Sequence, residues 1–317
     1  LRLLLLSALT LASAQAVAQI TLVAKGKPKA RITLAADNDI NRRAAQMLQR
    51  FVSETSGARL PIVANAKAGK GMVIIGETTA EAHDDGFLID SHDGLLRIMS
   101  AGGKGAIYGV CTLLEQYLGM NYWAANCYTL TPSADVRIPA LHHAETPAFR
   151  YRQTQSYGCD DPVYYDWFRL AEPKEIFADN LWVHTFDKLM PASVYGKRHP
   201  EYYSFINGER RPGNHSQWCL TNSAIFDIVA HRVDSIFKAN PGMTMMSVSQ
   251  NDGNDTYCQC PECKKVNDYE GSPSGNFIRF LNKLAKRFPD KQFSTLAYLF
   301  TMHPPKHVKP LPNVNIM

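Results

Sequence analysis

The sequence predicts an α/β fold in two parts: a small α/β domain, then a run of βα units that build a parallel sheet or barrel. Three observations lead there. Apolar segments of strand length alternate with amphipathic segments of helix length along most of the 317 residues. Asp93-Gly94 and Asn207-Gly208 each sit inside short alternating runs, the pattern of a tight hairpin turn. A polar stretch bounded by proline, PALHHAETP, divides the two parts and reads as a linker over residues 140–148.

The elements follow in chain order. LRLLLLSALTLASAQAVAQ has a basic Arg2, a short apolar run and Ala16-Val17-Ala18, which is secretory signal grammar over residues 1–18. The run is too short to span a bilayer, and no later segment is apolar enough, so export to the periplasm, outer surface or medium is expected, with no membrane span. The chain starts on Leu and stops at NVNIM, which reads as the start of a strand, so a fragment is expected. In residues 19–139, ITLVAKGKPKARITLA reads as two strands and Asp37 to Gly57 as a helix with Ile40, Ala44, Met47, Leu48, Phe51 and Val52 on its buried face. LPIV and MVIIG read as buried strands, GFLIDSHDGLLRIMS as a hairpin, and Gly105 to Leu118 as a second helix carrying a buried Cys111. GGKGAIYG is not a phosphate loop, because no Ser or Thr follows Lys104; its glycines suit a tight turn and close packing.

In residues 149–317 the predicted strands are FRYRQTQSY, NLWVHTF, MTMMSVSQ, QFSTLAYLF and NVNI. The helices are Val163 to Leu170, Asn222 to Lys238 and Gly275 to Phe288, and EYYSFI-NG-ERRP is a hairpin. In such units the loops after the strands build the site. Those loops carry Gln155, Ser156, Tyr157 and Asp160-Asp161; Trp182, His184 and Thr185; Gln250, Asn251 and Asp252; and Tyr298 and His303. A carboxylate, a histidine, amides and aromatic rings suit a sugar, since rings stack on its apolar faces and polar groups take its hydroxyls. The candidate set is Asp252 for catalysis, with His184, Asn251, Gln250, Tyr157, Tyr298 and Trp182 for binding. Tryptophans are more often core than ligand platform, an alternative that Trp167, Trp182 and Trp218 share. Charge argues against one partner class: the net charge is +5, with basic residues only in short doublets, so no nucleic-acid surface is expected.

SQNDGNDTYCQCPECKK places Cys258, Cys260 and Cys263 within six residues of one another. With Cys219 or His215 as a fourth ligand they can form a zinc knuckle. Export favours disulfides, and seven cysteines leave at least one unpaired within the chain. Both readings stay open. Catalytic zinc is disfavoured, because no His-Glu-x-x-His helix occurs.

WVHTF, HPEYYSFINGERR, CLTN, SVSQNDGNDTYCQCPECKK and TLAYLFTMHPPK together resemble a family of secreted bacterial proteins known as domain of unknown function 4838. TSGARLPIV, IIGET, DGFLIDSHDGLLRI and GAIYGVCTLLEQYLG leading to PAFRYR resemble the small α/β domain that precedes the barrels of α-glucuronidases and β-N-acetylhexosaminidases. The resemblance implies a glycoside-hydrolase-like (β/α)8 TIM-type barrel, about the first half of it present over 149–317. It implies hydrolysis of glycosidic bonds in oligosaccharide or polysaccharide, uronic-acid or N-acetylhexosamine linked, with no cofactor required and a structural zinc allowed. The alternative is a carbohydrate-binding protein of the same fold. One departure counts: the hexosaminidases carry an Asp-Glu pair after a barrel strand, and the comparable place here reads Asn251-Asp252. A second carboxylate is then expected from Asp160, Asp161, Asp255 or a strand beyond Met317.

Overall fold

The computed structural model describes residues 20–64, 66–154, 160–213, 215–253 and 256–317. The signal-like segment, Tyr157 and Asp255 lie outside the described residues. The chain divides into two compact units, one ending at Leu170 and the other running from Ala171 to Met317.

The first unit holds β1 (Ile20–Ala24), β2 (Lys27–Pro28), β3 (Arg31–Leu34), α1 (Asp39–Ser56), β4 (Met72–Thr78), β5 (Phe87–His92), β6 (Leu95–Ser100), α2 (Gly105–Thr112), β7 (Asn121–Ala124), β8 (Cys127–Thr129), β9 (Val136–Ile138), β10 (Leu141–Glu145) and α3 (Pro162–Trp167). Its main sheet has the order β10-β5-β6-β4-β3. β3, β4 and β6 run parallel, while β5 and β10 run antiparallel to their neighbours. β1 leaves this sheet to pair with β2 and β9.

α1 starts where the sequence places it. The Asn38 side chain accepts the Asn41 N–H at 2.9 Å, and Gly57, at φ +72°, closes the other end by donating to Ser53. Ala44, Met47, Leu48, Phe51 and Val52 then bury one face in the core shared with α2. Asp93 and Gly94 both have positive φ, as a type I′ turn requires, and pair β5 with β6 residue for residue. α2 runs on through a π-helical turn, Leu113–Tyr117. Close packing explains its glycines: a Cβ at Gly105 would stand 2.1 Å from the Gly86 carbonyl oxygen, and one at Gly109 2.6 Å from the Ile98 side chain. Cys111 is buried as expected, its thiol 3.6 Å from the Met47 sulfur.

Three sequence expectations change here. The stretch read as a linker carries β10, which pairs with β5 from Leu141↔Ser91 to Glu145↔Phe87. An edge strand is polar because only part of its surface is covered, so composition hid it. The first unit continues to Leu170, since Trp167 on α3 is buried in its core at 6.3 Å from Phe51 and 5.8 Å from Tyr122. LPIV makes only the bridge Ile32↔Ile62. Pro61 has no N–H with which to extend the ladder.

The second unit holds α4 (Pro173–Ile176), α5 (Phe186–Leu189), α6 (Ala192–Tyr195), β11 (Phe205–Ile206), β12 (Glu209–Arg210), α7 (Ser223–Ala239), β13 (Met245–Ser247), α8 (Pro261–Glu270), α9 (Ser274–Arg287), β14 (Gln292–Thr295) and β15 (Val314–Ile316). β13, β14 and β15 form a parallel sheet in that order. α9 follows β13 and precedes β14, so the β-helix-β rhythm holds. α7, α9 and the strands share one core, in which Phe186 stacks on Trp218 at 3.6 Å and on Phe277 at 5.3 Å.

No closed barrel occurs among the described residues, and NLWVHTF, expected as a strand, is not one. It lies beside β13, with Phe177↔Met245 bridged and the Ser247 and Thr185 N–H groups bonded to Leu181 and Ser249. Left-handed backbone at Asp179, Asn180 and His184 breaks the ladder that its apolar residues would otherwise form. FRYRQTQSY shows no strand over its described part, residues 149–154.

Glu270 ends α8 with a fully buried side chain. Burial alone would raise its carboxyl, but bonds from Arg279 and from the His307 and Val308 N–H groups (2.9 and 3.1 Å) outweigh it and hold it below the ordinary glutamate value. A depressed pKa adds stability above the unfolded value, and that stability is lost as pH falls through the folded one. Glu270→Gln is expected to cost about 1–3 kcal/mol near neutral pH. In urea titrations the difference from wild type should shrink below about pH 4.

Candidate functional site

The carboxyl-terminal ends of the parallel strands carry the richest group of polar side chains. After β13 the chain runs Val248, Ser249, Gln250, Asn251, Asp252. Gln250 is fully buried, and its amide donates to Thr301 Oγ1 at 2.7 Å and to the Tyr298 carbonyl at 3.1 Å. Asn251 is 1% exposed and donates to the Ser216 carbonyl at 2.8 Å. Its Oδ1 accepts the Asp187 N–H at 3.3 Å.

Gln217 completes this group. Its Oε1 accepts the Asn251 N–H at 3.0 Å, and its Nε2 donates to the Asn251 carbonyl at 2.7 Å. One side-chain amide thus treats Asn251 as a strand neighbour would. Gln250 and Asn251, read from sequence as ligands for a sugar, are both buried; the Asn251 amide is bonded to protein at both ends, while Gln250 donates through Nε2 and its Oε1 has no hydrogen-bond partner among the described residues.

Beyond them the chain emerges. Asp252 is exposed, and its Oδ1 accepts the Tyr298 hydroxyl at 3.0 Å. That bond is the main reason the Tyr298 phenol sits above its ordinary value, because ionising it would place an anion beside a carboxylate. The His184 ring meets the Tyr298 ring edge-on at 5.7 Å, and His184 Nδ1 lies 2.9 Å from the Gln250 carbonyl. His184 itself has left-handed backbone, with φ +51°. Three residues foreseen from sequence therefore converge: His184, Asp252 and Tyr298.

Other candidates lie elsewhere. Trp182 is half-buried and lines a hollow of about 260 Å³ with Glu172, Pro173, Lys174, Asn180, Val183 and Lys188, a lining that includes none of the three. Asp161 caps α3, accepting from the Val163 N–H at 3.0 Å and the Tyr122 hydroxyl at 2.6 Å, and so belongs to the architecture of the first unit. Asp160 is exposed in that same unit. Trp167 and Trp218 are core residues, as expected.

Two residues escaped the sequence reading. Gln217 sits in a loop and gives no pattern. Asp187 was legible in principle, as a carboxylate three residues after His184. Its Oδ2 accepts the His215 N–H at 2.8 Å, while its own N–H binds Asn251, the neighbour of Asp252.

Beside the rim, Cys219, Cys258, Cys260 and Cys263 are all buried, with their four sulfurs within 4.8 Å of one another. Cys219 Sγ lies 3.7 Å from Cys260 Sγ and 3.8 Å from Cys263 Sγ, and none of the four is in a disulfide. His215, the alternative fourth member, is exposed. This set is able to hold a metal ion.

The fold is that of a mixed α/β protein similar to glycoside hydrolase domains. The GH20 β-N-acetylhexosaminidase from Streptomyces coelicolor A3(2) matches with a TM-score of 0.51 at 15% identity, over 95% of this chain and 66% of its own. The GH115 4-O-methyl-α-glucuronidase BtGH115A, specific for decorated arabinogalactans, matches at 0.54 and 14%, over 94% and 45%. The chain therefore spans just under two thirds of the first enzyme and less than half of the second. No curated protein matches the sequence. The chain belongs to the family described as a domain of unknown function (DUF4838), whose model matches residues 122–317. No helix among the described residues is long and apolar enough to cross a membrane.

The amides and the exposed ring have separable roles. Gln217→Leu orphans the buried N–H and carbonyl of Asn251 and is expected to cost about 1–3 kcal/mol per group. Tyr298→Phe removes a partly exposed hydroxyl and should stay within about 0.5 kcal/mol of wild type. Urea midpoints of the two variants check the contrast.

Proposed function

We propose that the protein is an exported glycoside hydrolase acting on oligosaccharide or polysaccharide, with uronic-acid or N-acetylhexosamine linkages as the first candidates. The carrying observation is the Asp252–Tyr298 pair at the carboxyl end of a parallel sheet, with the His184 ring beside it. The likeness of fold to a hexosaminidase and a glucuronidase supports the same class. Export rests on the basic, apolar and small-residue pattern of residues 1–18.

Asp252 acts as the proton-transfer group. Tyr298 fixes its Oδ1, and Oδ2, which has no protein partner among the described residues, faces the reacting oxygen. Glycoside hydrolysis uses two carboxylates. Asp187, whose backbone N–H binds Asn251 Oδ1, is the candidate for the second. The Tyr298 and His184 rings offer apolar surface to a sugar face.

A second reading, a carbohydrate-binding protein of the same fold, is favoured by Asn251, whose amide occupies the place of a first acid and is wholly committed to the scaffold. Wild type, Asp252→Asn and Asp187→Asn should be assayed for reducing-sugar release from uronic-acid and N-acetylhexosamine oligosaccharides. The hydrolase reading expects kcat to fall about 10²- to 10⁴-fold in each variant with binding retained. Saturable binding by wild type without turnover would move the protein to the second reading.

A further inference from the structure

The four buried thiols of the second unit come from two distant stretches. Cys219 follows the β11–β12 hairpin by nine residues, whereas Cys258, Cys260 and Cys263 lead into α8. Chain folding, and not sequence proximity, brings Cys219 to the others. The separations of 3.7 and 3.8 Å are far from the ~2.05 Å of a disulfide. They match a tetrahedral centre: sulfurs ~2.3 Å from a zinc ion stand about 3.8 Å apart along each edge.

The surroundings suit thiolates. The Phe205 N–H points at Cys258 Sγ from 3.3 Å, and Arg210 Nη1 approaches the same sulfur at 3.6 Å. The Thr221 hydroxyl lies 3.1 Å from Cys263 Sγ. Neutral thiols are weak acceptors, so two N–H donors directed at Cys258 Sγ, one of them a guanidinium, fit a centre that carries net negative charge. Four thiolates around one divalent ion leave a charge of −2, which Arg210 partly offsets. Cys260 stands at the amino end of α8 and Cys263 in its first turn, where the free N–H groups and the helix dipole favour negative charge.

We infer that Cys219, Cys258, Cys260 and Cys263 form a structural zinc site that ties the β11–β12 hairpin to the start of α8. Four protein ligands close the coordination shell, and soft tetrahedral sulfur donors select zinc over harder cations. The site is structural, because no position is left for water or substrate. It is independent of the hydrolase reading, and its test needs no glycan.

The experiment uses the full wild-type chain, prepared in zinc-containing medium and freed of loosely bound metal by gel filtration. Elemental analysis should find about one zinc per chain. Cys260→Ser and Cys219→Ser should drop well below half of that, while Cys111→Ser keeps it. Replacing the metal with cobalt(II) should give the thiolate-to-metal charge-transfer and visible bands of a tetrahedral sulfur site. Should the serine variants fail to fold, the wild-type metal content and cobalt spectrum decide alone. Wild type that holds no zinc overturns the inference, whether its mass is lower by two hydrogens per disulfide or iron occupies the site instead.

Discussion

The second unit depends on one side-chain amide. Gln217 accepts from the N–H of Asn251 and donates to its carbonyl, so a loop residue performs the work of a neighbouring strand at the place where β13 has run out of partners. Without it, two backbone groups would be buried unpaired, a cost that few loops can absorb. The same amide also reaches Thr256 Oγ1 at 3.2 Å. Two residues further along the chain stands Cys219. Gln217 and Cys219 therefore join rim and thiol cluster through a short stretch of backbone.

Regular elements were legible in the sequence wherever a single face repeats. α1, α7 and α9 follow from the spacing of Leu48 and Phe51, of Val229 and Val233, and of Phe277 and Leu281. Both hairpins follow from Asp-Gly and Asn-Gly, the residues that accept positive φ. The edge strand β10 was hidden because His142 and His143 look like loop residues until Asp90 and Ile89 stand opposite them. α8 was hidden behind its own cysteines. NLWVHTF shows the reverse failure: its apolar residues read as a strand, while its left-handed positions give no sign in sequence.

The site was partly legible for a related reason. His184, Asp252 and Tyr298 share the property that strand ends in α/β units expose, and their convergence follows from adjacency of the strands. The burial of the amides beside them was not legible, because sequence cannot tell a buried amide from an exposed one. Asn251 looks like a sugar ligand until Ser216 and Asp187 are seen bonded to it. Trp182 fails differently: it belongs to the same segment as His184 but lines another hollow.

The division between buried amides and exposed Asp252, Tyr298 and His184 also bears on how such a fold can change over time. Residues that fix the rim are interlocked, so altering one of them demands compensation from another. Residues that face outward carry little of the folding free energy, so mutation can sample acids, amides and rings there at low cost to the scaffold. A rim built this way allows substrate preference, and even the step from catalysis to simple binding, to drift while the architecture stays fixed.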